Sequence, residues 1–405
     1  MKKTEINILF GTAEPKICPM QPFAEKIISF LDAWSRGIRQ DVQAKSYPDI
    51  VTFAFWIRKA NVVRLKEKSG TSALCRIGRG LAFHIAPSNV AINFAYSFVF
   101  GLLAGNANIV RVSSKDFPQN EVVCRILKEV VLQEEFQWVG EQNGIVQYSR
   151  ENGEWNQKFS EMCNSRIIWG GDKTIQELRK YPLMPRGNEI TFADRYSFAM
   201  LSADAVLALS AEERTKLAEG FYNDTYLMDQ NACSSPHLIC WLGGEGAVKE
   251  AKAMFWEEVY GVSQKYDLAD VKASEKYTLA CIYAVKSIIA DIRKYENYLY
   301  IAELKGLPDD ITGLRGKYGL FFEYAMQDIS DVLQKATGKV QTCAVFGIEE
   351  REVLNALIEY HVQGVDRIAE IGHTLDMDVF WDGYDVIGVL SRNISCGRWG
   401  QKYYG

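Results

Sequence analysis

Apolar positions along the chain follow two different periods. From Pro22 they recur every three to four residues, at Ile27, Ile28, Phe30, Leu31 and Trp34, and again at Phe53, Phe55, Trp56, Ile57, Val62, Val63 and Leu65. That spacing lines one face of a helix, so residues 22–68 read as mainly helical, with the aromatics as packing. From residue 75 short apolar runs alternate with longer amphipathic ones. Strands are predicted at 80–86, 107–112, 144–148 and 166–169, and helices at 89–104, 117–131, 152–163 and 173–180. Asp116 is placed to cap the second of these helices, with Pro118 in its first turn. This β-α-β-α alternation predicts a twisted, mostly parallel sheet with helices on both faces.

Pro182-Leu183-Met184-Pro185-Arg186-Gly187 is the clearest break. Beyond it come a strand at 190–200, an amphipathic helix at 211–228 and a strand at 237–242. Further helices are predicted at 246–260, 270–295, 323–337 and 349–360. Further strands are predicted at 298–303, 339–346, 366–371 and 384–391. No internal repeat or low-complexity segment interrupts the series. Two α/β domains follow, with the cleft between them as the default site. The expected division is 1–200 for the N-terminal helices and a cofactor-binding domain, 201–375 for a catalytic domain, and 376–405 for an interdomain strand or oligomerisation segment.

Composition narrows the class. The 405 residues are 48% hydrophobic and 24% charged, ordinary for a soluble globular protein with ample core. A net charge of −5 without a long run of either sign points to no nucleic-acid partner. The longest mostly apolar run, 90–105, is broken by Asn93 and Ser97; it is too short to span a bilayer and reads as a buried helix. Met1-Lys2-Lys3-Thr4-Glu5 lacks a signal-peptide core. Nine scattered cysteines with no CxxC pair fit a reducing, cytoplasmic setting, and the four histidines show no metal-ligand spacing.

Four stretches could carry chemistry. Cys233, in Asp229-Gln230-Asn231-Ala232-Cys233-Ser234-Ser235-Pro236, sits where a helix gives way to a strand. There it can be a nucleophile facing a cleft, with turn amides as an oxyanion site, or a small buried hydrophobe. Asn89 follows a strand at a helix start, as an N-cap or as an amide aimed at an oxyanion. Arg111, followed by Ser113, Ser114 and Lys115, stands at a strand's carboxyl end, where a nucleotide ribose or phosphate lies in such sheets; a solvated arginine is the plain alternative. Gly170-Gly171 precedes a helix start, which attracts phosphate, but it is no GxGxxG fingerprint. His84 reads as a core histidine, and His237 as a packed histidine or, less simply, a base for Cys233.

In this order the pieces resemble the aldehyde dehydrogenase superfamily. Pro87-Ser88-Asn89 matches its Pro-Trp-Asn motif, with Ser88 for tryptophan. Ala104-Gly105-Asn106-Ala107-Asn108-Ile109-Val110-Arg111 matches its Ala-Gly-Asn strand, with arginine for lysine. Gln230-Asn231-Ala232-Cys233 carries one residue more than its Gly-Gln-x-Cys motif. The chain is more closely similar to the luminescence-type long-chain acyl-CoA reductases (fatty acid reductases). That likeness rests on Phe53-Ala54-Phe55-Trp56-Ile57-Arg58-Lys59-Ala60-Asn61, Gln230 to Pro236, Val340-Gln341-Thr342, Asp366-Arg367-Ile368, Ile371-Gly372 and Trp381-Asp382-Gly383.

The resemblance implies an aldehyde dehydrogenase-like fold of two doubly wound α/β domains, cofactor-binding and catalytic. It implies reduction of a fatty acyl-CoA thioester to an aldehyde through a thioacyl-Cys233 intermediate. Asn89 and the Cys233 amide would stabilise the oxyanion. Arg111, Ser113, Ser114, Lys115, Gly170 and Gly171 would hold a nicotinamide cofactor. Hydrolytic relatives carry a water-activating glutamate; the aligned stretch here is Phe192 to Phe198, and Glu189, three residues earlier, reads as structural. NAD-selective relatives often carry an acidic residue where this chain has Ser114 between Arg111 and Lys115, so NADPH is expected over NADH. An acyl-protein synthetase partner and a homo-oligomer are further expectations. The competing readings are an oxidative aldehyde dehydrogenase and a non-catalytic subunit of a reductase complex; a cysteine hydrolase lacks an evident Cys/His/Asn set.

Overall fold

The computed structural model describes residues 6–70, 75–115 and 117–395. The expected cap Asp116, and Cys396 with the rest of the C-terminal segment, lie outside the described residues. The chain divides into two compact units, one made of 1–193 with 377–405 and the other of Asp194–Asp376.

The first unit is built on a six-stranded sheet. Its strands are β1 (Asn7–Gly11), β2 (Leu81–Ile85), β3 (Ala107–Val112), β4 (Asn143–Gln147), β5 (Ser165–Trp169) and β6 (Asn188–Phe192), in spatial order β1-β4-β3-β2-β5-β6. Only β1 runs antiparallel to its neighbour. Every residue of β2, β3 and β5 is buried, as parallel strands covered on both faces require. From β2 the chain winds outward through β3 to β4, then returns to lay β5 on the other side of β2. The strand order therefore reverses between β2 and β5, and a crevice opens outside their carboxyl ends.

On one face lie helices Glu25–Gln40 and Pro48–Trp56, which pack Trp34 edge-on against Phe53 at 5.1 Å. The helix predicted at 89–104 begins only at Asn93, with Ile92 rather than Asn89 at its cap, and all eleven of its residues are buried. The strand predicted at 384–391 is a short helix, Val386–Leu390, because the Asp385 carboxylate accepts the Gly388 amide at 2.8 Å and starts a helical turn. Its apolar residues join the first unit's core. Strand Ser391–Asn393 then pairs with Arg76–Gly78.

The second unit has a seven-stranded sheet. Its strands are β7 (Tyr196–Ser202), β8 (Pro236–Leu242), β9 (Ile289–Tyr295), β10 (Leu299–Leu304), β11 (Leu320–Met326), β12 (Val340–Phe346) and β13 (Arg367–Glu370), in order β9-β10-β11-β8-β7-β12-β13. Only the β9–β10 pair is antiparallel. The helix predicted at 270–295 ends at Ala284 and gives way to β9. The helix predicted at 323–337 is instead β11 followed by a single turn, Ser330–Leu333. Within β11 Glu323 is fully buried: its carboxylate accepts the Trp256 indole at 2.9 Å and pairs with Arg293 and Lys252. Among the described residues no helix is long and apolar enough to cross a membrane.

Candidate active site

The crevice beyond β2, β3 and β5 is a cavity of about 1000 Å³. Seven residues singled out from the sequence line it: Asn89, Arg111, Ser113, Ser114, Lys115, Gly170 and Gly171. They come from the loop after β2, the end of β3 with the residues that follow it, and the loop after β5, and the sheet's reversal of strand order is what gathers them. Asn89 sits exposed in a bend, four residues before the helix starts, so it does not serve as that helix's N-cap.

Arg111 is the best-defined wall of the cavity. It is only 8% exposed, and its guanidinium lies 5.2 Å from the Tyr148 ring. One terminal nitrogen donates to the Tyr148 carbonyl at 3.4 Å, but among the described residues its Nε has no hydrogen-bond partner. Burial, the largest influence, pulls this guanidinium below its ordinary range. A buried cation without a carboxylate is costly unless an anion reaches it. Ser114 and Lys115 are exposed beside it, and the Ser113 hydroxyl accepts the Lys115 amide at 3.1 Å. Gly171 occupies the cap position of helix Asp172–Leu178; a Cβ there would meet no protein atom, so its absence leaves room in the cavity.

Beneath the cavity lies a chain of buried polar groups that the sequence did not reveal. The Trp169 indole donates to Ser97 Oγ at 2.9 Å, and Ser97 bonds His84 Nδ1 at 2.8 Å. His84 Nε2 bonds Asn108 Oδ1 at 3.0 Å, and the Asn108 amide donates to Asn143 Oδ1 and the Asn106 carbonyl. Because Trp169 can only donate and Asn108 Oδ1 can only accept, the directions are fixed: Ser97 donates to Nδ1, and the proton sits on Nε2. The ring is neutral, and burial lowers its pKa to about 4. Gly101 makes room for this chain, since a Cβ there would come within 1.8 Å of Asn108 Oδ1. His84 is thus the core histidine that the pattern suggested.

Cys233 belongs to the second unit. It stands exposed in the turn Ala232–Ser235, which the Ser235 amide closes onto the Ala232 carbonyl at 3.0 Å, just before β8. Its neighbours are held. The Ser197 hydroxyl donates to the Cys233 carbonyl at 2.7 Å, and Ser235 Oγ donates to the Asp224 carbonyl at 2.6 Å. Asp229 and Gln230 both take left-handed backbone conformations, φ 53° and 60°. Gln230 is 1% exposed; its amide donates to the Leu320 carbonyl at 3.0 Å and the Pro236 carbonyl at 3.3 Å, and its oxygen accepts the Gly319 amide at 3.1 Å. By contrast Cys124, Cys163, Cys240 and Cys343 are buried, and burial pushes the Cys124 and Cys163 thiols up to about 12. Those sulfurs stay protonated and shielded.

The loop that grips Gln230 is itself fastened by Lys276, a residue sequence reasoning passed over. Lys276 is fully buried on helix Asp270–Ala284 and donates to the carbonyls of Asn297, Tyr298 (3.0 Å) and Tyr318 (2.7 Å). Desolvation lowers its ammonium to about 7. A buried lysine in an amphipathic helix has no signature in the chain alone. Asp229 accepts Lys272 Nζ of the same helix at 2.8 Å and the hydroxyl of Tyr266, which precedes that helix, at 2.5 Å. His237 stacks on Tyr196 at 5.5 Å, and burial, with Arg315 second, lowers its imidazole to about 3. So weak a base does not suit proton abstraction from a thiol. Glu189 accepts both Arg166, at 2.5 Å, and Arg179, at 2.8 Å, which leaves it a structural ion pair in the first unit.

The sequence model of the acyl-CoA reductase (LuxC) family matches residues 62–289, more than half of the chain. The chain belongs to this family. The LuxC match spans all eight residues named above as site candidates. No curated protein matches the chain. Among solved structures it is similar to 1-pyrroline-5-carboxylate dehydrogenase from Thermus thermophilus, at 13% identity and a TM-score of 0.60, over 91% of this chain and 80% of that one. It is also similar to the NADP-dependent glyceraldehyde-3-phosphate dehydrogenase from Bacillus halodurans complexed with NADP, at 12% identity and a TM-score of 0.58, over 91% and 85%. Proline Utilization A from Bradyrhizobium japonicum gives a TM-score of 0.60 at 13% identity, and there the chain spans 42% of the relative's length. These likenesses give the LuxC-family chain an aldehyde dehydrogenase-like fold.

Proposed function

We propose that the protein reduces an acyl-CoA thioester, of fatty acyl type, to the aldehyde with NADPH. The observation that carries the reading is Cys233, exposed in a turn where Ser234 and Ser235 are buried and Ser235 is bonded, just after the buried and bonded Gln230. A fixed, accessible sulfur suits a nucleophile that must also leave. Its thiolate attacks the thioester carbonyl, and the tetrahedral adduct expels the CoA thiolate, which takes up a proton. When bound, the nicotinamide supplies a hydride to the resulting thioacyl carbon. The thiohemiacetal then collapses, the C–S bond breaks, and aldehyde and the Cys233 sulfur separate. The Cys233 amide and the Asn89 side chain are assigned to the oxyanion; losing one such donor typically lowers kcat by about 10²–10³.

The first unit's cavity fits the cofactor. Arg111, buried with its Nε unpartnered among the described residues, is the group that an anionic ribose phosphate would satisfy, and Lys115 and Ser114 stand beside it. Two cations flanking Ser114 favour the 2′-phosphate, and Glu151 and Glu177 also line the cavity. Glu189 is engaged by two arginines, so it is not assigned to water activation, and the thioacyl group is kept for hydride.

The test is incubation with radiolabelled acyl-CoA without cofactor. Label should accumulate on the wild type, be absent in Cys233→Ala, and discharge as aldehyde on addition of NADPH. Rapid release as free acid would favour an oxidative aldehyde dehydrogenase, and an unlabelled wild type would favour a non-catalytic subunit. Equal kcat/KM for NADPH and NADH would overturn the cofactor preference.

A further inference from the structure

At the opposite, amino-terminal edge of the first unit's sheet lies a second cavity of about 430 Å³, lined by Arg79, Asn164, Met184, Arg186 and Arg392. Its position follows from the chain. Arg79 comes two residues before β2, Asn164 directly before β5, Arg186 two residues before β6, and Arg392 lies on the strand Ser391–Asn393. Strands β2, β5 and β6 are adjacent and parallel, so three of these residues are delivered to one end of the sheet together. The cavity described above lies at the carboxyl ends of the same strands, so the two are distinct.

The lining offers donors and no carboxylate. Arg79 is half-buried; its Nε donates to the Val389 carbonyl at 2.7 Å, which fixes the guanidinium and leaves its terminal nitrogens. Asn164 is clamped with its Oδ1 accepting the Leu81 amide at 2.9 Å, so its NH₂ is the group left to offer. Gly80, at φ +136°, permits that approach, for a Cβ there would come within 2.1 Å of Asn164 Oδ1. Arg186 and Arg392 are exposed. Among the described residues no carboxylate pairs with Arg79, Arg186 or Arg392, and the charges acting on Arg79 are Arg76, Arg186 and Arg392, all repulsive. Scarcity of acids is not the reason, since the chain carries 51 acidic residues against 46 lysines and arginines. Nearby, Arg166 and Arg179 share Glu189 in the ordinary way.

We propose that this amino-edge cavity is a binding site for a phosphate-bearing small ligand, a phosphomonoester dianion or a pyrophosphate. Guanidinium groups match phosphate oxygens in pairs, and three of them around one space can neutralise a di- or trianion. The volume suits a phosphate with part of a nucleotide, not a macromolecular surface. Two sources share this chemistry: the phosphorylated end of CoA, and a free nucleotide or inorganic phosphate acting as an effector. The site does not rest on the role of Cys233, which acyl labelling reads separately.

The test uses the full chain and inorganic pyrophosphate, by isothermal titration calorimetry. Because Arg186 and Arg392 are exposed and, among the described residues, have no side-chain hydrogen bond or ion pair, R186Q/R392Q should fold as the wild type does, with an unchanged melting temperature. It should bind pyrophosphate at least tenfold more weakly, whereas R111Q, altered in the other cavity, should keep that affinity. Wild type without measurable binding at millimolar pyrophosphate would overturn the proposal, as would an R186Q/R392Q affinity equal to wild type or a loss that follows R111Q instead. Competition then assigns the source. Displacement by CoA but not by pantetheine points to the thioester's own phosphates, and displacement by ATP but not by CoA points to a free phosphate ligand.

Discussion

Acidification should loosen the first unit through His84. In the folded chain the ring is neutral between Ser97 and Asn108, with its pKa near 4. In the unfolded chain it titrates at about 6.5. Between those values the unfolded state binds a proton that the folded state refuses, so stability is lost as pH falls. At pH 5 the unfolded ring is almost fully charged and the folded ring almost fully neutral, and the difference relative to pH 7 is about 2 kcal/mol. With a urea slope of about 1–3 kcal/mol/M, that shifts the unfolding midpoint by roughly 1 M. Urea unfolding read by hydrogen exchange on peptides from β2 and helix Asn93–Leu103 isolates this unit from the other. His84→Gln can keep both hydrogen bonds but does not titrate. Its midpoint, lower at pH 7, should lack that shift between pH 7 and pH 5. A His84→Gln protein as acid-sensitive as the wild type would refute the reasoning.

Two other substitutions probe the setting of Cys233. Gln230→Ala strands the Gly319 amide and the Leu320 and Pro236 carbonyls; at about 1–3 kcal/mol per buried orphan, with the 3.3 Å bond the weakest, it should destabilise the second unit by roughly 3–5 kcal/mol in urea and change the rate of Cys233 alkylation. A loss below about 1 kcal/mol would mean that water replaces the side chain. Lys276, held to about 7 by burial against an unfolded value near 10.4, binds fewer protons folded than unfolded across that window, so wild-type stability relative to Lys276→Met should rise with pH from 7 to 10. A difference in unfolding midpoints that stays flat between pH 6.5 and 9.5 would contradict this.

The alternation from residue 80 to 180 was legible because strands buried on both faces and amphipathic helices leave different periods. Helix Pro118–Val130 and strand Ala107–Val112 begin and end where the pattern places them, within a residue. The pattern failed where burial is polar. Glu323, inside β11, falls in a run read as a helix, and nothing local announces the Trp241 and Trp256 indoles and the Arg293 guanidinium that satisfy it. The seven cavity residues were legible one by one, yet their convergence depends on the strand order, which no single segment encodes. The supports were illegible for the same reason: Ser97, Gly101 and Lys276 act through partners far away in sequence.

The first unit is written in two pieces with the whole of Asp194–Asp376 between them. The later piece is no ornament. Val379, Trp381, Val386, Ile387 and Leu390 are part of the first unit's core, Trp56 donates to the Met377 carbonyl, and Asn106 donates to the Leu390 carbonyl. During synthesis at about 5–20 residues per second, the unit emerging first from the ribosome must wait on the order of tens of seconds for the segment that completes its core. The second unit, continuous in sequence, can finish first. A nascent chain stalled before residue 377 would therefore carry a completed insert on an unsealed host, and chaperone demand should fall on the half that is made earliest.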